Sequence, residues 1–433
     1  VSTREFQEDP LKYCTELARD YGPVVRFYMG PYQWYMLTNP EDIYDALVKR
    51  WEVFHKPKLN KRIFHFFLGE SLLSADGEYW KYLHKMVQPA FHRQRIEAYS
   101  EFMVEAADRI ISHWKPGEEI DFAAEMTDLT LIVVGKTLFD ADVSEEADRI
   151  RDAMNVVNTV LVDHINMPLP VPKWWPSKKN RAKHSAIAEI ESVVSKLVAD
   201  RRRDGVDRGD LLSTLVFTRD ENGRALTDKE LRDAAMTLIF AGHDTTSHAL
   251  TWMWYLLARH PECLKKLQDE VDGVLRGKTP TAADLKNLPY LEMVMKEALR
   301  LLPSVWCFMR EPTEDVQVGD YVIPKGSQVF ISPFVVQRQE ALFDNPTEFR
   351  PERFTRENER RIPRGAYIPF SIGPRVCQGK QFALMEASLI LARLVQKFEP
   401  TLVPGFEPEL YPKLTMSSKN GMRTIVTPRE VAK

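Results

Sequence analysis

The 433-residue chain has only four cysteines, Cys14, Cys263, Cys307 and Cys377. None stands in a CxxC pair, and their wide spacing offers neither a zinc module nor a disulfide framework. A reducing compartment fits best, so a cytoplasmic setting is expected. No charge sign dominates. Against 59 Lys and Arg stand 62 Asp and Glu, a net −3, which withholds the basic face that nucleic acid requires. Long hydrophobic runs are missing. None approaches the roughly 18–20 residues needed to span a bilayer, and no signal peptide opens the chain. The chain begins at Val1 rather than Met, which leaves open an upstream anchor or leader and, with it, membrane association. Fixed-period repeats, low-complexity tracts and long Gly/Ser linkers are absent too. What remains is 44% apolar and 28% charged, enough for a large core.

Strand signals lie near both ends. VVRFYM (24–29) and WYML (34–37) flank a Gly-Pro turn and predict a hairpin. VQVGDYVI (316–323), with Gly319-Asp320 at its centre, predicts another, and SQVFIS (327–332) predicts a further strand. Between about 76 and 300 the pattern is mostly helical. A proline-rich connection, MPLPVPKWWP (167–176), interrupts it. Pairing of strands from opposite ends argues for one large domain over 1–433, mainly α with small β-sheets.

One helix stands out. It starts with a capping box, Thr227 with Glu230 three residues on, and stops at Pro261. Over thirty residues of helix span about 50 Å. Its middle, FAGHDTTSHA, is odd. Gly242 costs about 1 kcal/mol against alanine in a helix interior, and Thr245 and Thr246 carry hydroxyls that bond back to the preceding turn and bend helices. The stretch reads as a kink in a core helix, or as a groove beside an acid, Asp244, and an alcohol.

Cys377 lies in PFSIGPRVCQG, ahead of the helix former run KQFALMEASLILARLVQKF. Gly373 and Gly379 permit turn conformations. The helix start offers free N–H groups and its positive dipole end, and Arg375 adds charge, all of which favour thiolate. A nucleophile wants a general base, and no Cys-His motif is evident. A thiolate ligand to haem iron needs no base, only a shaped loop and a cationic partner for the haem carboxylates. Packing is the expected role of the other three cysteines.

The stretch from Phe370 through Gly373, Arg375 and Cys377 to Gly379 resembles the haem-binding signature FxxGxRxCxG of the cytochrome P450 monooxygenases. KEALR (296–300), FRPERF (349–354), AGHDTT (241–246) and GEYWKYLHKMVQPAF (77–91) resemble further motifs of that family in the family's order. The resemblance spans nearly the whole chain. It implies the P450 fold, with the long central helix crossing the haem, and haem b bound through the Cys377 thiolate. Glu297 and Arg300 share a helix face and by resemblance pair with Arg353 behind the haem. Arg375 and Arg310 would bind haem propionates, and Trp80 would donate its indole N–H to one. His84 stands where the family usually has arginine. Ala241 and Gly242 would leave room for haem and oxygen, and Phe370 and Gly379 would shape the cysteine loop. Gln378 stands where an apolar residue is common, either beside the sulfur or at the surface.

By the same resemblance Asp244 relays protons and Thr245 holds a water against dioxygen. That pair favours reductive oxygen activation, hence a monooxygenase. A peroxide-using peroxygenase or isomerase on the same fold is the alternative, and a non-catalytic haem sensor a remoter one. No GxGxxG and no flavin or nicotinamide domain accompanies the haem domain in this sequence, so the electrons are expected from a separate donor, a ferredoxin, flavodoxin or flavin reductase, or from a fused domain beyond this sequence. Lys81, Lys85, Arg93, Arg95 and Lys380 are candidates for its docking face, and the protein is expected to be a monomer. The substrate pocket is expected to be lined by Phe64, Phe66, Phe67, Phe240, Val305, Trp306, Phe308 and Met416. These aromatic and apolar side chains suit a lipophilic molecule such as a fatty acid, terpenoid or steroid.

Overall fold

The computed structural model describes residues 3–30, 32–140 and 178–429, together with Ala153 and Val156. The proline-rich connection 167–176 lies outside the described residues. Helices dominate. Those that position the site are α1 (Pro10–Tyr21), α2 (Lys58–Leu68), α3 (Gly77–Val87), α4 (Phe122–Phe139), α5 (Asp228–Arg259), α6 (Pro289–Leu301) and α7 (Lys380–Lys397). The strands are short: β1 (Val24–Met29), β2 (Tyr32–Leu37), β3 (Phe54–His55), β4 (Glu119–Asp121), β5 (Phe308–Pro312), β6 (Val316–Val318), β7 (Tyr321–Ile323), β8 (Gln328–Ile331), β9 (Phe398–Glu399), β10 (Leu410–Pro412), β11 (Met416–Ser418), β12 (Arg423–Ile425) and β13 (Thr427–Pro428).

β1 and β2 form the expected antiparallel hairpin, Val24 opposite Leu37. β2 then pairs in parallel with β8, Trp34 opposite Gln328. The resulting five-stranded sheet runs β1-β2-β8-β5-β3. β4 pairs with β12, so strands from opposite ends of the chain do meet. The β6–β7 hairpin has the register Val318 opposite Tyr321, which puts Gly319 and Asp320 in a two-residue turn. Gly319 has φ +53° there.

α5 runs 32 residues without a break, and its capping box is complete: the Thr227 hydroxyl and Glu230 carboxylate each satisfy the other's backbone N–H. Its two halves enter different cores. Leu231 to Phe240 pack with α2, α3 and α4. Ala249 to Leu257 pack with α1, α6, α7 and the β-sheet. Trp254 stacks on Phe122 with ring centroids 4.6 Å apart. The small and polar stretch Ala241–His248 therefore sits at the seam, where neither core supplies large side chains. Its hydroxyls bond back as the threonine pattern suggests, Thr245 Oγ1 to the Ala241 carbonyl at 2.8 Å and Thr246 Oγ1 to that of Gly242 at 3.2 Å. Gly242 serves a close helix crossing. A Cβ there would lie 3.0 Å from Val134 Cγ2 on α4.

Candidate functional site

A cavity of about 1390 Å³ opens at that seam. Cys377, Phe370 and Gly379 lie on one wall, and Ala241, Asp244 and Thr245 of α5 on another. The cysteine loop is held by backbone geometry. Gly373 adopts φ +77°, and a Cβ there would run into the Leu47 carbonyl. The Cys377 N–H donates to the Phe370 carbonyl at 3.0 Å, closing the turn. Burial pushes the thiol up, while the N–H groups of Gly379 and Lys380 and the Lys380 ammonium pull it back in part. The helix-start N–H groups thus act in the direction expected from sequence, toward thiolate, and work against desolvation. Gln378 settles between the two positions considered for it: half-buried, with Nε2 donating to the His84 carbonyl at 3.3 Å, it ties the cysteine loop to α3.

Cations gather on a third wall. Arg375 pairs with Asp76 and lies over the Trp80 ring, 4.8 Å from its centroid. Arg310 is buried and donates only to the neighbouring Met309 carbonyl, at 2.9 Å. Burial and the like charge of Arg375 push it down to about 10. Lys56, which the sequence reading did not single out, joins them, with Nζ donating to the Leu72 carbonyl. Burial first, then Arg375, holds its ammonium well below the usual lysine range. Arg310, Arg375 and Lys56 thus gather around Asp76, which also accepts from Lys61 at 2.6 Å. Among the described residues the Arg375 Nε meets no hydrogen-bond partner. An under-compensated positive wall beside a cavity-facing thiol suits a planar metal cofactor carrying two carboxylates. His84 also lines the cavity. Its ring packs against Trp80, and burial lowers its pKa. The only signal for Lys56 in the sequence is its place before Pro57.

Behind this wall Glu297, Arg300 and Arg353 come together, all three buried. Arg300 grips the carboxylate twice, Nε to Oε2 at 2.7 Å and Nη2 to Oε1 at 2.9 Å. Arg353 Nε reaches Oε1 at 3.1 Å, and the Arg350 N–H reaches the same oxygen at 2.9 Å. Arg300 continues to the Gln337 carbonyl at 2.8 Å, and Gln337 Oε1 accepts the Ile368 N–H at 2.8 Å. The cluster thereby holds the chain two residues before Phe370.

Over the cavity, the β10–β11 turn is pinned to α5 and to the loop after α6. Thr415 Oγ1 donates to Asp244 Oδ2 at 2.7 Å. Trp306 Nε1 donates to the Lys413 carbonyl at 2.6 Å, and Trp252 Nε1 to that of Met416 at 2.7 Å. The Ser304 hydroxyl donates to the Thr245 carbonyl at 2.7 Å. Burial pushes the Asp244 carboxyl up, but His248, His243, the Thr415 hydroxyl and Lys413 together bring it below the usual carboxylate range.

The expected lining is met in part. Phe64, Phe240, Val305, Trp306 and Phe308 line the cavity. Phe67 instead packs into the core beside α3 and α5, and Met416 is fully buried in the main core. Leu414 and Thr415, at the turn just before it, face the cavity in its place. The side chain of Phe66 lies outside the described residues. Cys307 lines the cavity, while Cys14 and Cys263 are core. The expected basic docking surface is largely neutralised. Lys81 pairs with Glu78 and Glu52, Lys85 with Glu221, Arg93 with Glu97 and Arg95 with Asp207. Lys380 lies over the Phe370 ring. Among the described residues no helix is long and apolar enough to cross a membrane.

Comparison with known proteins gives a consistent picture. The family model described as "Cytochrome P450" matches residues 1–425. Cyclooctatin synthase of Streptomyces melanosporofaciens is 34% identical over 97% of this chain and 92% of its own length. Pentalenene oxygenase of Streptomyces avermitilis is 31% identical over 92% of this chain and 89% of its own. A crystal structure titled as the cytochrome P450DA heme domain superposes with a TM-score of 0.89 at 27% identity, covering 97% of this chain and 93% of that one.

Proposed function

The chain belongs to the cytochrome P450 family, an oxidoreductase family with thiolate-ligated haem, and from that premise we propose that it is a single-domain monooxygenase, residues 1–433, hydroxylating or epoxidising a terpenoid-like molecule. The haem supplies dioxygen activation through its thiolate-bound iron. Cys377 is the ligand. Lys56, Arg310 and Arg375 would receive the haem carboxylates, with Trp80 and His84 as further donors. Thr245 positions a water at the seam of α5, and Asp244 passes protons to it. The two electrons come from a flavin or iron–sulfur donor, separate or fused.

The substrate class rests on one observation: Phe64, Phe240, Val305, Trp306, Phe308 and Leu414 give the cavity a largely apolar lining. Such walls reward apolar area at about 25 cal/mol per Å² and offer little to hold a polar substrate. The names of two relatives, pentalenene oxygenase and cyclooctat-9-en-7-ol 5-monooxygenase, point the same way, to an alkene and an unsaturated alcohol. Optical titration of the ferric protein with terpenoid hydrocarbons and alcohols, fatty acids and steroids tests the reading. A low- to high-spin shift confined to the terpenoids is expected. A shift with fatty acids or steroids alone would refute the substrate class, and a reduced carbon monoxide spectrum without thiolate character would refute the site.

A further inference from the structure

Asp244 lies between two neighbours. Its Oδ2 accepts the Thr415 hydroxyl at 2.7 Å, and its Oδ1 lies 3.6 Å from His248 Nε2, one helical turn on. Asp244 lines the cavity while His248 sits behind it, with 15% of its side chain exposed. The carboxylate therefore separates the imidazole from the reaction space. His248 Nδ1 lies 3.4 Å from Ser247 Oγ, and that hydroxyl donates to the Asp244 carbonyl at 3.0 Å. Two further titratable groups bear on this pair. His243, on the same helix, has Nδ1 2.9 Å from the Ile239 carbonyl, and Lys413 comes from the β10–β11 turn. The acid–alcohol motif contains Asp244 and Thr245 but stops two residues short of position 248.

We propose that His248 is a proton-holding residue behind Asp244, taking protons from solvent and handing them across the carboxylate to the water held by Thr245. The Thr415 hydroxyl keeps Oδ2 fixed, so Oδ1 alone is free to turn toward the imidazole. This inference rests on the monooxygenase reading. In the transfer, the Nε2–H bond of imidazolium breaks, its electron pair stays on nitrogen, and an Oδ1–H bond forms. The carboxylic acid then loses that proton to the water, and the imidazole regains one from solvent. One proton moves inward and no redox change occurs. The resting charges suit this direction. Burial, with a small addition from His243, holds His248 below the ordinary histidine range and outweighs the attraction of Asp244. Asp244 stays ionised. At neutral pH the pair is an uncharged base behind a charged acceptor, and imidazolium formed transiently 3.6 Å from a carboxylate is stabilised by it.

The test uses the haem-loaded protein. His248→Gln keeps a hydrogen-bond donor but cannot carry a proton. We expect its ferric spin shift and carbon monoxide spectrum to match wild type, while product formed per electron falls several-fold and peroxide accounts for the difference. The pH profile of coupling should lose an ionisation that lies below the ordinary histidine range. Independently of turnover, ¹⁵N-histidine NMR of the diamagnetic ferrous carbon monoxide form should show one imidazole titrating in that low range. Asp244→Asn should move it lower still. Unchanged coupling and pH profile in His248→Gln would overturn the proposal while leaving the monooxygenase reading intact. So would an imidazole indifferent to Asp244→Asn, or a His248→Gln protein that loses the thiolate spectrum, which would make the residue structural. Failure of wild type itself to couple electrons to product would overturn the underlying reading instead.

Discussion

Replacing Glu297 by glutamine changes one atom and removes one charge. That carboxylate is fully buried and accepts four hydrogen bonds, from Arg300 Nε and Nη2, Arg353 Nε and the Arg350 N–H. The amide keeps the shape but turns two donor hydrogens toward a guanidinium, and it leaves two buried cations without their shared counterion. Removing one partner of a buried ion pair costs about 3–5 kcal/mol. Unfolding entropy of roughly 2.1 cal/mol/K per residue across 433 residues gives about 0.9 kcal/mol/K. The melting temperature of Glu297→Gln should therefore fall by about 3–6 °C. Arg300 also reaches the Gln337 carbonyl, and Gln337 holds the Ile368 N–H, so the damage should extend to the cysteine loop. Haem retention should drop alongside the melting temperature. Far-UV circular dichroism against temperature and the yield of the thiolate-type carbon monoxide spectrum measure the two. Raising salt should not mask the effect, because the pair is shielded from solvent ions. A variant that melts within 1 °C of wild type and retains full haem would refute the claim that the cluster holds the loop.

Among the described residues, Glu386, on α7, is fully buried and poorly hydrogen-bonded, with only a weak contact from Thr246. Burial pushes its carboxyl well above the ordinary range, with only Thr246 pulling back. The folded state then binds a proton that the unfolded state releases above about pH 4.3, so wild type loses about 1.4 kcal/mol per pH unit from there up to the folded pKa. Glu386→Gln escapes that loss, and its melting temperature should gain on wild type as pH rises from 5 to 8; a constant difference would show that Glu386 is not held neutral. Gly242→Ala gains about 1 kcal/mol of helix propensity but meets Val134 Cγ2 at 3.0 Å. The net should be destabilising and should turn stabilising in Val134→Ala, as a double-mutant cycle in urea would show. Lys56→Met should shed haem faster to an apoprotein acceptor while folding at least as well without haem, because it removes a desolvated amine whose charged form Arg375 disfavours. Thr245→Ala should keep haem and divert electrons to peroxide, measured as product and peroxide per electron consumed.

Much of this site could be read from residue spacing. The glycines around Cys377 announced a turn that needs φ above zero, and Gly373 adopts one. Glu297 and Arg300, three apart between apolar flanks, announced a buried pair. The capping box at Thr227 placed the start of α5 to the residue. Contacts set by tertiary packing were harder to see. Nothing local distinguishes Lys56 from any surface lysine, and its burial depends on the wall that Arg310 and Arg375 complete. Met416 and Leu414 are both apolar and two residues apart, and only the twist of the β10–β11 turn decides which enters the cavity. Gly242 was legible as an anomaly, but its partner, Val134, lies more than a hundred residues away. The thiol of Cys377 shows a different gap. Sequence displays the charges around a sulfur but not how strongly the surrounding fold desolvates it, and desolvation is the largest influence on its ionisation.

The turn between β10 and β11 also orders events in time. Thr415 follows Asp244 by 171 residues, so at about 5–20 residues per second the acid waits roughly 10–35 s on the ribosome for its hydroxyl partner. The cysteine loop emerges within the same late interval. β4 cannot close its pairing until β12 leaves the exit tunnel later still. Contacts of such long range are slow to form, and here they converge on the cofactor cavity. An N-terminal fragment stalled before residue 370 can build α5 and its capping box but has no sulfur with which to capture iron. On the proposed ligation, haem capture would therefore be among the last steps in the birth of this molecule.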